Sequence, residues 1–305
     1  MQANINIPML AVAVLLSGAA LAQEPVIQTS AASPPLRSWM SSEVGEAWGL
    51  GYKGQGVTIT VVDDFKSKAR YDGNLSGSGQ FLRHGEWTSR EASLVAPLAT
   101  MKMHDFTLST AVRLARGLNV LNLSYSMYAP AGYALSKIRW NQREKSIISH
   151  AANGSAIISK AAGNDAIAIG GANAAGDVDF LNQALKGTKA SIFVGALSSN
   201  GSLADQASLA SYSNMAGADP VIQQQFLVVG VAGSQTGLHG TSFAAPIVAG
   251  YGALLGSKFT KATSTQIVNQ LLNTARQDTI SNYSVAVHGR GEASLNRALA
   301  PVSIR

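Results

Sequence analysis

The run Gly240-Thr241-Ser242-Phe243-Ala244-Ala245-Pro246 puts a hydroxyl where a glycine turn meets an alanine-rich helix. Glycine lets the backbone approach a substrate closely, and the free N–H groups of a first helical turn favour developing negative charge. Pro246 is tolerated there because its missing N–H would have gone unpaired in any case. This is a setting for a nucleophilic Ser242, although a bare Gly-Thr-Ser also starts an ordinary capped helix. A serine hydroxyl attacks well only when a neighbouring base takes its proton. Cys is absent, so thiol chemistry and thiolate metal sites are excluded; His84, His104, His150, His239 and His288 are the imidazoles available as base. An imidazole in turn needs a carboxylate on its far nitrogen. Asp63 and Asp64 close an apolar run, and adjacent strand residues point to opposite faces, so one of the two can serve.

These groups need a scaffold. The chain has 305 residues, 46% hydrophobic and 13% charged, enough for a sizeable core and unlike disordered or fibrous sequences. β-Branched apolar runs at 56–62, 120–124, 156–158, 191–194 and 226–229 alternate with stretches of helical periodicity at 108–116 and 133–152. Continuous apolar strands alternating with helices imply a parallel sheet covered on both faces, hence an α/β fold. Ser242 to Leu255 predicts a small-residue helix buried all round. Another helix is expected from Thr263, with Gln266 at capping-box spacing. The net charge of +6 is spread out, the densest group being Lys137, Arg139, Arg143 and Lys145 on a helix. It reads as a solvated face, and no nucleic-acid partner is expected.

The seven-residue string at Ser242 resembles the nucleophile motif of the subtilisin-like serine peptidases (subtilases), in which Gly-Thr-Ser-x-Ala-Ala-Pro opens the central helix. That resemblance implies a three-layer sandwich with a central, mainly parallel sheet and helices on both faces. It implies a base in a helix-opening His-Gly pair, which matches His84-Gly85, and an acid at the end of an apolar strand, which matches Asp63; Asp64 then reads as a solvated strand-end acid. Ala161-Ala162-Gly163-Asn164 is similar to the family's oxyanion segment, with the Asn164 amide donating beside the Ser242 N–H. The order Asp, His, Asn, Ser is that of the family. Ser124, Tyr125 and Ser126 resemble its substrate-binding strand, which pairs with an extended peptide. Tyr212-Ser213-Asn214 and Gly289-Arg290-Gly291 extend the likeness, which spans about 43–300. The implied activity is a serine endopeptidase acting on polypeptides through an acyl-enzyme. The alternative is a non-catalytic binding protein on a peptidase fold; an esterase is a third, weaker reading.

Several residues depart from the family pattern. Phe65 stands where a glycine is usual, Glu86-Trp87 follows His84-Gly85, and Ser126 replaces a glycine and narrows the specificity pocket. On this reading Phe65, Glu86 and Trp87 crowd the site, and Glu86 can raise the His84 pKa or engage its ring. No cofactor is expected, and a structural calcium ion is left unassigned, because Asp177 and Asp179 read as a solvated turn. Residues 1–22 read as a signal peptide, with an apolar core at Met9 to Leu16 and Ala20-Leu21-Ala22 as cleavage pattern, though no basic residue precedes it. Residues 23–42 read as a leader or linker and 43–305 as the peptidase domain. The expected location is secreted or periplasmic, with no stable membrane span. Only about 20 residues separate the expected cleavage site from the domain, too few for a folding-assistant propeptide, so folding is unaided or assisted by a partner protein.

Overall fold

The β-branched runs become strands because they are buried on both faces, where a pleated backbone packs best. The computed structural model describes residues 34–304, and the segment 1–22, read from the sequence as a signal peptide, lies outside them. Six parallel strands form the central sheet: β1 (Val57–Asp63), β2 (Thr100–Asp105), β3 (Leu118–Leu123), β4 (Ile157–Ala161), β5 (Ser191–Leu197) and β6 (Phe226–Gly230). Their order is β6-β5-β4-β3-β1-β2. The strand absent from the sequence expectations is β2, an edge strand half in water that carries no continuous apolar run.

Alternate strand residues feed two cores. Ile59, Val61, Val120, Ile157, Val194 and Leu227 pack under helices α1 (His84–Val95), α3 (Ala245–Lys258) and α4 (Ser264–Asn273). Val62, Leu121, Leu123, Ile158 and Phe193 pack on the other face against Ile147 and Ala151 of α2 (Gln142–Asn153) and the short helix Phe180–Leu185. The expected layered α/β architecture is what forms. α3 is buried along nearly its whole length, as its Ala and Gly content implies, and α4 opens on the expected capping box between Thr263 and Gln266.

Two helices differ from expectation. Residues 108–116 form no helix, because side chains take up the backbone groups a helix would pair: Asn119 Oδ1 accepts from Ala115 N–H at 2.8 Å and Asn119 Nδ2 donates to the carbonyls of Ala115 and Gly117. Ser146 Oγ accepts from Val112 N–H. The helix expected over 133–152 starts only at Gln142, where the Asn141 side chain caps it by accepting from Glu144 N–H; a short 3-10 turn, Leu135–Lys137, precedes it. Within 23–42, Trp39 and Met40 are buried in the core, and Trp39 Nε1 donates to Leu75 O at 3.0 Å.

Candidate active site

Asp63 is the last residue of β1 and is buried, with only 1% of its surface exposed. One carboxylate oxygen, Oδ1, accepts from the Asp64 N–H at 2.7 Å and lies 2.7 Å from His84 Nδ1. The other, Oδ2, accepts from the Thr88 hydroxyl at 2.9 Å. Thr88 is one helical turn beyond His84 on α1, so one helix delivers both partners. With its proton on Nδ1 facing a carboxylate, the imidazole keeps a lone pair on Nε2, the form a general base needs. The ring stands between Tyr71 and Phe243, with centroids 6.0 and 5.6 Å away.

Asp64 points elsewhere. Its carboxylate accepts from the N–H groups of Lys66 and Ser67 and from the Ser67 hydroxyl, closing a turn. Burial pushes its pKa up, but those hydrogen bonds outweigh it and hold the carboxyl below its ordinary value.

The crowding residues are accounted for differently than the sequence implies. Glu86 turns back to the start of α1, accepting from Arg83 N–H at 2.8 Å and pairing with Arg83 Nη1 at 3.0 Å. A carboxylate in a helix's first turn complements the dipole. Trp87 is fully buried and donates from Nε1 to Tyr71 O at 2.8 Å. Phe65 lies over Gly85, where an added Cβ would come within 2.9 Å of the ring and 2.6 Å of Asp64 O. The glycine after His84 thus makes room for the phenyl group.

Ser242 sits in the 3-10 turn Thr241–Phe243 that leads into α3, preceded by Gly240 at φ +122°, a backbone state that suits glycine. Its carbonyl would pair with the N–H four residues on, but that residue is Pro246, so the acceptor is left over. Ser124, just past β3, fills the gap: its hydroxyl donates to Ser242 O at 2.9 Å. Ser159 of β4 likewise donates to Ala245 O at 2.7 Å. Hydroxyls just past β3 and on β4 therefore hold the turn and the start of α3 against the sheet. Ser242 Oγ itself donates to Ser124 O at 3.3 Å rather than to His84.

Asn164 follows β4 in a loop entered through Gly163 at φ +115°. Its Oδ1 accepts from the Thr241 N–H at 2.8 Å and from the Thr241 hydroxyl at 3.0 Å. A backbone N–H can only donate, so this bond fixes which amide atom faces Thr241 and turns Nδ2 the other way. The same Thr241 hydroxyl accepts from Gly163 N–H at 3.0 Å. Asn214 braces the loop from beneath, accepting from Asp165 and Ile167 N–H and donating to Ala162 O.

The structure thus brings Asp63 to His84 and Asn164 to the turn that carries Ser242. Of the expected substrate strand, Ser124 is buried and its hydroxyl is committed to Ser242 O, while Tyr125 OH donates to Glu144 Oε1. Asp177 and Asp179 are not a solvated turn: they pair as a strand with Tyr128–Pro130. Asp179 lies 3.0 Å from Nζ of the fully buried Lys160 and caps the helix Phe180–Leu185. Thr88, Thr241 and Ser159 carry no sequence reading as site residues. Thr88 was findable as the residue one turn after His84; Ser159 was not, since its partner is 86 positions away.

A search of the curated proteins finds no match. Among solved structures, a lanthipeptide protease superposes with a TM-score of 0.54 at 15% identity, over 83% of this chain and 90% of that one. The MycP3 protease from a type VII (ESX-3) secretion system gives 0.53 at 18%, covering 84% and 86%. MycP1 from Mycobacterium smegmatis gives 0.52 at 18%, covering 90% and 87%. At such identities the likeness is one of fold. The model of the Subtilase family matches residues 85–289, a span that contains Asn164 and Ser242 and begins one residue after His84. With more than half its length matched and the parallel sheet in place, this chain belongs to the subtilase family.

Proposed function

We propose that the chain is an exported serine endopeptidase that cleaves polypeptides through an acyl-enzyme. The observation that carries this reading is the 2.7 Å contact of buried Asp63 with His84 Nδ1, which leaves Nε2 as the basic nitrogen of a ring whose centroid is 5.6 Å from that of Phe243, the residue after Ser242. On this reading Ser242 Oγ attacks the scissile carbonyl while His84 Nε2 takes its proton; the carbonyl π-bond electrons move to oxygen. The Asn164 amide and the Ser242 N–H stabilise that oxyanion. Its collapse expels the amine, which takes the proton back from His84, and water repeats the sequence on the ester. Asp63 stays ionised throughout and stabilises the imidazolium. The backbone of Ser124 to Ser126 is proposed to pair with the extended substrate.

The rival reading, a non-catalytic binding protein, rested on crowding by Phe65, Glu86 and Trp87; Glu86 is engaged by Arg83 N–H, Trp87 by Tyr71 O, and Phe65 packs over Gly85. Export is supported by the sequence pattern of residues 1–22. The origin of the MycP3 protease in a type VII (ESX-3) secretion system is in keeping with it. A fluorophosphonate probe should label the purified chain at about pH 8 and should not label Ser242→Ala. Absence of Ser242-dependent labelling would sink the enzyme reading; labelling with turnover of short-chain esters but not of casein would replace it with an esterase.

A further inference from the structure

β2 is the edge of the sheet, and its register with β1 pairs Lys102 with Thr60 and His104 with Val62. Val62 belongs to the core under α2, so this row of side chains points to the face opposite α1 and His84. Over most of that face a helix covers the strands. Here none does, because residues 106–117 cross it as an irregular segment. A cavity of about 660 Å³ remains, lined among others by Thr60, Lys102, His104, Leu108, Val112 and Arg113. That size falls in the range of small-molecule sites.

Two polar atoms in this lining are buried and have no partner: Thr60 Oγ1, in a residue only 4% exposed, and His104 Nε2. Buried polar atoms in native proteins are nearly always paired, so each marks hydrogen-bonding capacity awaiting a group. The rim is cationic. Lys102 and Arg113 are exposed, and neither forms an ion pair among the described residues. The nearby carboxylates are engaged: Asp105 accepts from Phe65 N–H and Thr107, and Glu144 holds Arg143 and Tyr125 OH. Leu108 and Val112 supply an apolar wall. Scattered surface lysines and arginines are ordinary, but two beside unpaired buried polar atoms in one cavity are a built arrangement.

We infer that this cavity binds a small amphiphilic anion, with a carboxylate or phosphate head between Lys102 and Arg113, hydrogen-bonded to Thr60, and a short aliphatic tail along Leu108 and Val112. An anion is favoured over a cation because no free carboxylate lines the cavity, and a tail is required because simple ions would leave the apolar wall wet.

Calorimetric titration of the full chain carrying Ser242→Ala tests this without autolysis and independently of the peptidase reading. The probes are octyl phosphate and octanoate, each below its micellar concentration, with inorganic phosphate and octylammonium as comparisons. At least one of the two anionic amphiphiles should bind at a single saturable site, and which binds more tightly identifies the head group. Lys102→Ala with Arg113→Ala, both exposed positions, should weaken that binding about tenfold or more. Thr60→Val should weaken it about threefold. Inorganic phosphate should bind about tenfold more weakly than octyl phosphate. No saturable binding by either amphiphile, binding unchanged in the double variant, or equal binding by octylammonium would each overturn the inference; equal affinity for inorganic phosphate would overturn the role of the tail.

Discussion

Asp63 and Asp64 differ by one peptide unit and face opposite ways, so their amide variants separate a catalytic from a local role. On the proposed mechanism Asp63→Asn leaves the shape intact but no longer fixes the imidazole tautomer, and kcat should fall by about 10⁴. Asp64→Asn loosens only the turn at Lys66 and Ser67, and kcat should stay within about threefold of the parent. A larger loss for Asp64→Asn in steady-state casein hydrolysis would reverse the assignment. On the same mechanism Asn164→Ala removes the donor proposed for the oxyanion and should cost about 10² to 10³ in kcat with little change in KM. Thr241→Val, by contrast, touches no reacting atom. It removes one of the two bonds that Thr241 makes to Asn164 Oδ1, leaving the backbone N–H bond, and strands the Gly163 N–H, so on the proposed mechanism Thr241 is a positioning residue. About a tenfold loss in kcat is expected, the value of one misdirected hydrogen bond, and it should add little to the loss already caused by Asn164→Ala. Additive losses in the double variant would show that Thr241 acts elsewhere.

Between residue and fold stand the strands that hold these groups. β4 carries Ser159 to the α3 start and then Lys160, whose buried ammonium meets Asp179 across to the strand beside Tyr128. Asp179 also accepts from Met127 and Leu181 N–H, so the pair ties three segments together just beyond Asn164. Lys160→Met leaves an uncompensated buried carboxylate and should destabilise the chain by about 3–5 kcal/mol, read as a lowered urea midpoint. Lys160→Met with Asp179→Asn should recover much of that loss; no recovery would mean that packing, not charge, governs the site. None of this was legible in the sequence, where Lys160 stands within an apolar strand and Asp179 beside a glycine-rich loop. Legibility followed the range of the interactions. The buried strands and the Thr263 cap depend on neighbours in sequence and were readable, as were the positions of Asp63, His84, Asn164 and Ser242, each sitting in a short local motif. The segment 108–116 has helical periodicity yet is captured by Asn119, Ser146 and Arg143, partners that periodicity does not see. β2 was missed for the complementary reason, since an edge strand half in water lacks the apolar run that identifies a central one.

The stability of the whole molecule should carry the mark of its buried acids, Glu91 and Glu292, whose pKa values burial raises. Glu91 lies on α1, two turns from His84, is 3% exposed, and its Oε2 has no hydrogen-bond partner. Burial alone drives its pKa well above the ordinary 4.5, so the folded protein holds this proton over a range in which the unfolded chain has released it. A proton held by the folded state and not by the unfolded one makes stability fall as pH rises. The Glu91 contribution is therefore complete below about pH 4.5 and is lost progressively above it, up to the folded-state pKa, at no more than about 1.4 kcal/mol per pH unit. Two imidazoles act in the opposite direction. Burial lowers the pKa of His288, and burial together with the Arg143 charge lowers that of His104, in each case against an opposing backbone hydrogen bond; the unfolded chain then takes up protons first as pH falls below 6.5, and stability falls on the acid side. Above that value the Glu91 effect runs unopposed by them. In a Ser242→Ala background, Glu91→Gln replaces a neutral acid by a neutral amide and should change the urea midpoint little at pH 4. Its advantage over the parent should grow from pH 5 to pH 8. A constant offset across that range would show that Glu91 ionises alike in the folded and unfolded states, and the buried proton would have to be abandoned.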